Sequence, residues 1–410
     1  MMTQDAEQVE TVTSDHASGA SLRRVREFDG VICFGGEDWW YHNRGHYDMQ
    51  MMREISRRVP VLYVNSIGMR MPTPGGGLFA RKIARKLKSF RRGLVHVRER
   101  FSVFSPVVAP AGMGAAANSA ALAWQVRRAA KKLGITRPLV WVACPPAQTV
   151  VDRLGAVGMV YQRTDRFEEF AGVDPERIRG FDLTLKRDAD LTVFCSSWLH
   201  ERDRHECVST AFIDHGVDYD AFESAGLDAD SEPADAQPIG RPRAGFIGGI
   251  DSHTFDPELF SKVVELLPDV EFMMVGACSL PEGWCPHPNV HMLGRKPYDD
   301  VPGYMAASDV LLMPWNQSDW IKACNPVKLK EYLAVGRPIV STPFPELERY
   351  SHLVRSADSA EAFASAIRAA LETEHDPAPG RDFVREKTWH RRGETALEEL
   401  AARDLVANPS

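Results

Sequence analysis

Short apolar runs alternate along this chain with stretches of helical spacing, and the alternation predicts its architecture. Gly30-Val-Ile-Cys-Phe-Gly-Gly36 is apolar and closes on glycines; Val59–Asn65, Leu139–Ala143, Met159–Tyr161 and Leu191–Cys195 are runs of the same kind. Between them, His42–Arg58 has helical spacing with Met49, Met52 and Ile55 on one stripe, and Ala115–Leu133 is a second helical stretch. Strands separated by helices predict a parallel sheet covered on both faces. The pattern lapses from Tyr219 to Pro242, a segment rich in Asp, Ala, Glu and Pro that reads as a linker.

A second series then begins. Strands are predicted at Ala244–Ile247, Val270–Val275, Val290–Leu293, Val310–Met313, Ile339–Ser341 and Leu353–Arg355. Helices are predicted at Pro257–Leu267, Asp300–Ala307, Val327–Val335 and Ala360–Glu372, and Phe383–Leu405 reads as one amphipathic helix containing Trp389. The chain therefore divides into a disordered tail (1–24), an α/β domain (25–218), the linker (219–242), a second α/β domain (243–378) and a closing helix with its tail (379–410). Two doubly wound, Rossmann-like domains facing across a cleft suit two substrates, one per domain, and closure of the cleft excludes water.

Composition narrows the class. With 410 residues, 44% of them hydrophobic, the chain can fill two cores. A net charge of −7 argues against a general nucleic-acid binder. Seven cysteines with no C-x-x-C pair point to reduced thiols, not to disulfides or structural zinc. No apolar run approaches the ~20 residues that span a bilayer, and Met1–Ser21 lacks the apolar core of a signal peptide. The expected location is the cytoplasm. Asp-x-Asp occurs at Asp188/Asp190, Asp218/Asp220 and Asp228/Asp230, a frequency that makes it uninformative in an Asp-rich chain. With no H-E-x-x-H and no phosphate loop of the Walker type, no metal or cofactor is expected.

Candidate chemistry concentrates at residues 325–342. The helix carrying Lys328 and Glu331 stops at Gly336, ahead of Arg337-Pro338 and a buried strand. Its N-terminus faces the sheet edge where open α/β folds bind ligands, so a lysine there suits a diphosphate and a carboxylate one turn on suits ribose hydroxyls. Asn325 before Pro326 fits an N-cap, and Lys330, on another face, fits a solvated helix lysine. Gly248-Gly249 after the first strand of the second domain would let backbone amides approach phosphate oxygens. Arg295, after a strand and a glycine, is placed near the same nucleotide site.

These residues fall in runs that resemble a known family. Phe246-Ile-Gly-Gly-Ile250, Pro268-Asp-Val-Glu-Phe-Met-Met-Val-Gly276, Pro288-Asn-Val-His-Met-Leu-Gly-Arg295 with Pro297-Tyr298, and Asn325-Pro-Val-Lys-Leu-Lys-Glu-Tyr-Leu-Ala-Val-Gly336 resemble the GT-B glycosyltransferases. The likeness is to group 1, family 4-like enzymes that build teichuronic acid and other cell-envelope polysaccharides. The first domain resembles them more loosely, through Tyr161-Gln-Arg-Thr-Asp165, Cys195-Ser-Ser197 and His215-Gly-Val-Asp218. The resemblance implies a GT-B fold, an acceptor-binding first domain, a donor-binding second domain for a UDP-, GDP- or dTDP-sugar, and no catalytic metal. It departs at one position: many such enzymes carry a glutamate eight residues before the one matched by Glu331, and this chain has Ala323 there.

A glycosyltransferase needs a base for the acceptor hydroxyl. Asp165, after the strand at Met159–Tyr161, is the first candidate, with Asp38 and His42 competing. Arg81, Lys82, Arg85, Lys86, Lys88, Arg91 and Arg92 form an acid-free stretch interleaved with Leu78, Ile83, Leu87 and Phe90. Such a basic amphipathic segment suits the inner face of the plasma membrane and a lipid-linked acceptor; a solvated face or a patch for an acidic saccharide is the alternative. Other readings of the whole chain are a GT-B-fold nucleotide-sugar epimerase or phosphorylase, or a non-catalytic saccharide-binding homologue.

Overall fold

The computed structural model describes residues 25–41, 45–68, 88–107, 114–170, 172–228 and 232–408. The expected disordered tail, His42 and the basic residues Arg81, Lys82, Arg85 and Lys86 lie outside them.

Two sheets organise the molecule. The first contains β2 (Gly30–Phe34), β3 (Val61–Val64), β4 (Leu94–Arg98), β5 (Phe101–Phe104), β6 (Pro138–Val142), β7 (Gly158–Arg163), β8 (Leu191–Phe194) and β9 (Thr210–Phe212). Their order is β4-β5-β3-β2-β6-β7-β8-β9, parallel except for β4, which pairs antiparallel with β5. The second sheet contains β10 (Arg243–Ile247), β11 (Glu271–Val275), β12 (Val290–Gly294), β13 (Val310–Met313), β14 (Ile339–Ser341) and β15 (Arg355–Ser356). Its order, β12-β11-β10-β13-β14-β15, is entirely parallel. In both sheets the order reverses beside the first strand of the doubly wound series, leaving a crevice at β2/β6 and at β10/β13.

Alternating side chains feed two cores per sheet. Val31 and Cys33 of β2 enter one cluster with Met49, Met52 and Ile55; Ile32 and Phe34 enter another with Leu122 and Val126. Leu311 and Met313 of β13 pack with Leu329 and Tyr332, while Val310 and Leu312 pack with Phe260 and Phe363. Apolar residues on both faces explain the continuous runs in the sequence.

The expected linker is helical in its first part: Tyr219–Leu227 buries Tyr219 and Phe222 against the second domain. Its two aromatic anchors are too few to give a periodic signal in an acidic segment. The single closing helix is instead two, Ala378–Arg385 and Trp389–Ala401, with Thr388 capping the second through the Arg391 amide. A further strand, β16 (Leu405–Ala407), pairs with β1 (Arg26–Phe28), so the end of the chain returns to the first domain. Trp389 is buried between Tyr47 and His215, and Gly393 lies so close to Glu54 that a Cβ would stand 2.6 Å from that residue's Cβ.

A buried ionic contact joins the domains. Lys330 Nζ lies 2.8 Å from Asp214 Oδ1, with both side chains almost fully enclosed. Asn325 donates to the same carboxylate at 2.7 Å and to the Cys195 carbonyl at 2.6 Å. Asn325 is therefore not the N-cap, which is Pro326 without a side-chain bond. Lys330 is not solvated, because the face opposite Lys328 meets the first domain. Nearby, Glu346 accepts the Ser197 amide at 3.1 Å and its hydroxyl at 2.5 Å.

Lys330→Met should leave Asp214 buried without its partner and cost about 3–5 kcal/mol in urea unfolding. Burial pushes the Asp214 carboxyl up, but Lys330 outweighs it and holds the pKa down at about 2. A depressed carboxylate contributes stability above its unfolded pKa of ~3.9, lost as pH falls towards 2. Asp214→Asn should flatten that part of the stability–pH curve.

Candidate functional site

A cavity of about 690 Å³ opens where the two crevices face each other. Gly36, Glu37 and Ala143 border it from the first sheet; Ile247, Gly248, Gly249 and Trp315 border it from the second. Both contributions follow the C-terminal ends of strands flanking a reversal, which is where open α/β sheets bind ligands.

Gly248 is required by crowding. A Cβ there would stand 2.6 Å from Lys328 Nζ, and a Cβ at Gly276 would overlap the Gly248 carbonyl oxygen at 1.6 Å. The loop after β10 thus lies directly under the ammonium group. No hydrogen bond or ion pair among the described residues uses that ammonium, and its neighbours act on it only at longer range. Burial lowers its pKa, partly offset by Glu331. The Val327–Val335 helix begins at the same wall with no side-chain cap, so its first N–H groups join Lys328 in favouring an anion.

Glu331 lies one turn further along, 4% exposed, and accepts a hydrogen bond from the Tyr298 hydroxyl at 3.2 Å. Burial pushes its pKa up to about 7, although Lys328 pulls it down. The Tyr298 hydroxyl also lies 3.5 Å from Asp218, which pairs with Arg53 of the first domain at 2.8 Å. Arg295 is at the exposed rim and reaches the Tyr41 carbonyl across the cleft at 3.5 Å. Gly248, Gly249, Arg295, Asn325, Lys328 and Glu331 all border one cavity, Asn325 through its interdomain bonds.

Asp165 stands on the opposite wall, half-buried, and burial raises its pKa while a bond from Thr164 opposes the shift. Its side chain does not cap the Phe167–Glu169 turn. Asp38 does not border the cavity; its carboxylate accepts the Trp40 amide at 2.9 Å and the Ser89 hydroxyl at 3.1 Å. Ala323 is buried against Phe194 and Leu199 and also stays out of the cavity.

Tyr298, Trp320 and His215 also border the cavity; Tyr298 and His215 stood in the sequence runs without an assigned role, and nothing in the sequence marked Trp320. His215 is held edge-on by Tyr47 and Trp389, with ring centroids 5.2 and 6.0 Å away. Burial, then Lys330, drives its pKa down to about 3, so the imidazole is neutral. The signal in the sequence was the His215-Gly216 turn: a Cβ at Gly216 would lie 2.5 Å from the Trp389 backbone, so the glycine brings the crossover helix to the histidine.

Several acidic groups away from the cavity are structural. Asp190 accepts the Met159 amide at 2.9 Å and pairs with Arg26 at 2.9 Å. Asp182, Asp203 and Glu206 converge closely enough to suggest a cation site, but the Lys186 ammonium already occupies it at 2.7–2.8 Å.

Residues 241–373 match the family model described as Glycosyl transferases group 1. The chain is 31% identical over 235 residues to TuaH of Bacillus subtilis (strain 168), provisionally named as a teichuronic acid biosynthesis glycosyltransferase. That match covers 52% of this chain and 57% of TuaH, so the chain spans just over half of its relative. A sucrose-phosphate synthase from Thermosynechococcus elongatus superposes with a TM-score of 0.67 at 14% identity, over 91% of this chain and 98% of that one. HepE of Anabaena, in complex with UDP and glucose, gives 0.64 at 14% identity, over 92% and 100%. The fold is GT-B.

Gly248→Ala should push the Lys328 ammonium from its place and weaken pyrophosphate binding about tenfold, measured by calorimetry, with little change in melting temperature. In a second measurement, the His215 ring should retain the NMR shifts of a neutral imidazole down to pH 5.

Proposed function

We propose that this chain, a GT-B protein whose residues 241–373 match the group 1 glycosyltransferases, transfers a hexosyl group from a nucleoside-diphosphate sugar to a saccharide or lipid-linked acceptor in cell-envelope polysaccharide synthesis. The observation that carries the reading is the Lys328 ammonium, unpaired among the described residues and set over the Gly248 loop beside an uncapped helix N-terminus. That arrangement fits a diphosphate and stabilises the charge that builds on it as the glycosidic bond breaks. The UDP in the HepE complexes and the teichuronic acid role in the name of TuaH agree with this chemistry.

In this mechanism ionised Glu331 accepts hydrogen bonds from the ribose hydroxyls, and Arg295 and Gly249 border the nucleotide. Asp165, across the cavity, takes the proton of the attacking hydroxyl. Fixed cations and amides do the work that a metal does in other transferases, so no metal is needed. The acceptor side is a peripheral membrane location on the cytoplasmic face, with the basic stretch from Arg81 to Arg92 towards anionic lipid. Of that stretch, Lys88, Arg91 and Arg92 are described; Lys88 and the two arginines are exposed, and Arg92 covers the Trp40 ring at 4.3 Å.

A thermal-shift screen against UDP-, GDP- and dTDP-sugars should give one stabilising class, and Lys328→Ala should weaken it roughly ten- to a hundredfold, the loss expected for a charge-assisted hydrogen bond. No stabilisation by any of the three would overturn the donor assignment. Because Glu331 titrates near 7 and binds ribose when ionised, kcat/KM for the donor should fall as pH drops below about 7. Glu331→Gln should lack that acid limb. Asp165→Asn should lower kcat by about 10²–10⁴ with donor binding intact.

A further inference from the structure

Charge is segregated along this chain to an unusual degree. Residues 66–151 contain fifteen lysines and arginines and a single acid, Glu99, although the whole chain carries −7. The Ala115–Lys132 helix belongs to this region and contains no acid. Its inner face, with Leu122, Val126 and Ala130, is buried in the first domain. The outer face is ordered in a different way from a solvated helix. Ala117, Ala120 and Trp124 come first, at helical spacing, and all are exposed; Arg127, Arg128, Lys131 and Lys132 follow, also exposed.

Trp124 is 63% exposed, an uncommon state for so large an apolar ring. Val107, 58% exposed, is tied to the next residue of the helix: the Gln125 side chain accepts the Val107 amide at 3.0 Å and donates to its carbonyl at 2.9 Å. The Arg128 guanidinium lies 5.8 Å from the Trp124 ring. Val107 follows β5, which runs parallel to β3, so this apolar edge begins at the same end of the sheet as the cavity.

The geometry points to this helix face as the surface that docks on a bilayer bearing anionic headgroups, with Trp124 and Val107 at the lipid interface and the four cations over the headgroups. Tryptophan favours the boundary between apolar and aqueous layers, and each cation near an anionic surface strengthens binding about fivefold. A face of this composition meets both demands of a bilayer, and its apolar end lies at the same end of the first sheet as the cleft. The inference deepens the reading of the acceptor as lipid-linked, since it places the open cavity near the membrane, but the docking itself does not depend on catalysis.

The full chain should co-sediment with vesicles of phosphatidylcholine mixed with phosphatidylglycerol and not with phosphatidylcholine alone. Replacing Arg127, Arg128, Lys131 and Lys132 together by Gln should reduce that binding at least tenfold. Trp124→Ser should abolish the tryptophan quenching that brominated lipid produces in the parent. All of these positions are exposed, and nucleotide-sugar binding by each variant reports that the fold is intact. Equal vesicle binding by parent and variants would overturn the assignment. So would a dimer that buries Trp124 without lipid, or an acidic polysaccharide that binds the face while vesicles do not. Transfer to a soluble saccharide acceptor, measured separately, should be unchanged in the variants. If lipid binding holds and no donor is ever turned over, the transferase reading alone fails.

Discussion

The contact between Lys330 and Asp214 fixes how the working helix faces the cleft. Lys328 and Lys330 are two residues apart on one helix and therefore point to different sides. Asp214 and Asn325 hold Lys330 towards the first domain, and this leaves Lys328 and Glu331 directed at the cavity. Removing two charges from water is costly, so the pair is not simply a source of stability. Its effect is orientational: a helix rotated by one residue would turn Lys328 and Glu331 away from the cavity they now border. Burial keeps the adjacent His215 neutral, and the Lys330 ammonium adds to that effect.

Much of the fold was legible because strands buried on both faces give unbroken apolar runs. Ile339–Ser341, Val310–Met313 and the helix from Val327 to Val335 were located to the residue. The β4–β5 hairpin was missed, although its outer strand alternates as Leu-Val-His-Val-Arg, because that half-exposed strand gives no unbroken apolar run. Tyr219–Leu227 read as linker because two aromatic anchors hold it and the remainder is acidic or small.

The site was partly legible. Lys328, Glu331 and the paired glycines sit at strand ends and a helix start, positions that local patterns mark. Asn325 and Lys330 were misread because their partners, Cys195 and Asp214, are more than a hundred residues away and no local spacing encodes such contacts. Tyr298 was given no role for a similar reason. Its hydroxyl has meaning only between Glu331 and Asp218, which come together through folding of both domains.

The return of the chain to its first domain governs the order of assembly. Residues 389–407 provide a helix against Tyr47–Ile55 and the strand that pairs with Arg26–Phe28, and Leu405 fills the space above Gly158. During synthesis, then, the front domain cannot reach its finished packing when residue 218 leaves the ribosome. It must wait, with Phe28 and the surface of its first helix uncovered, until the second domain has been made and the crossover has threaded back.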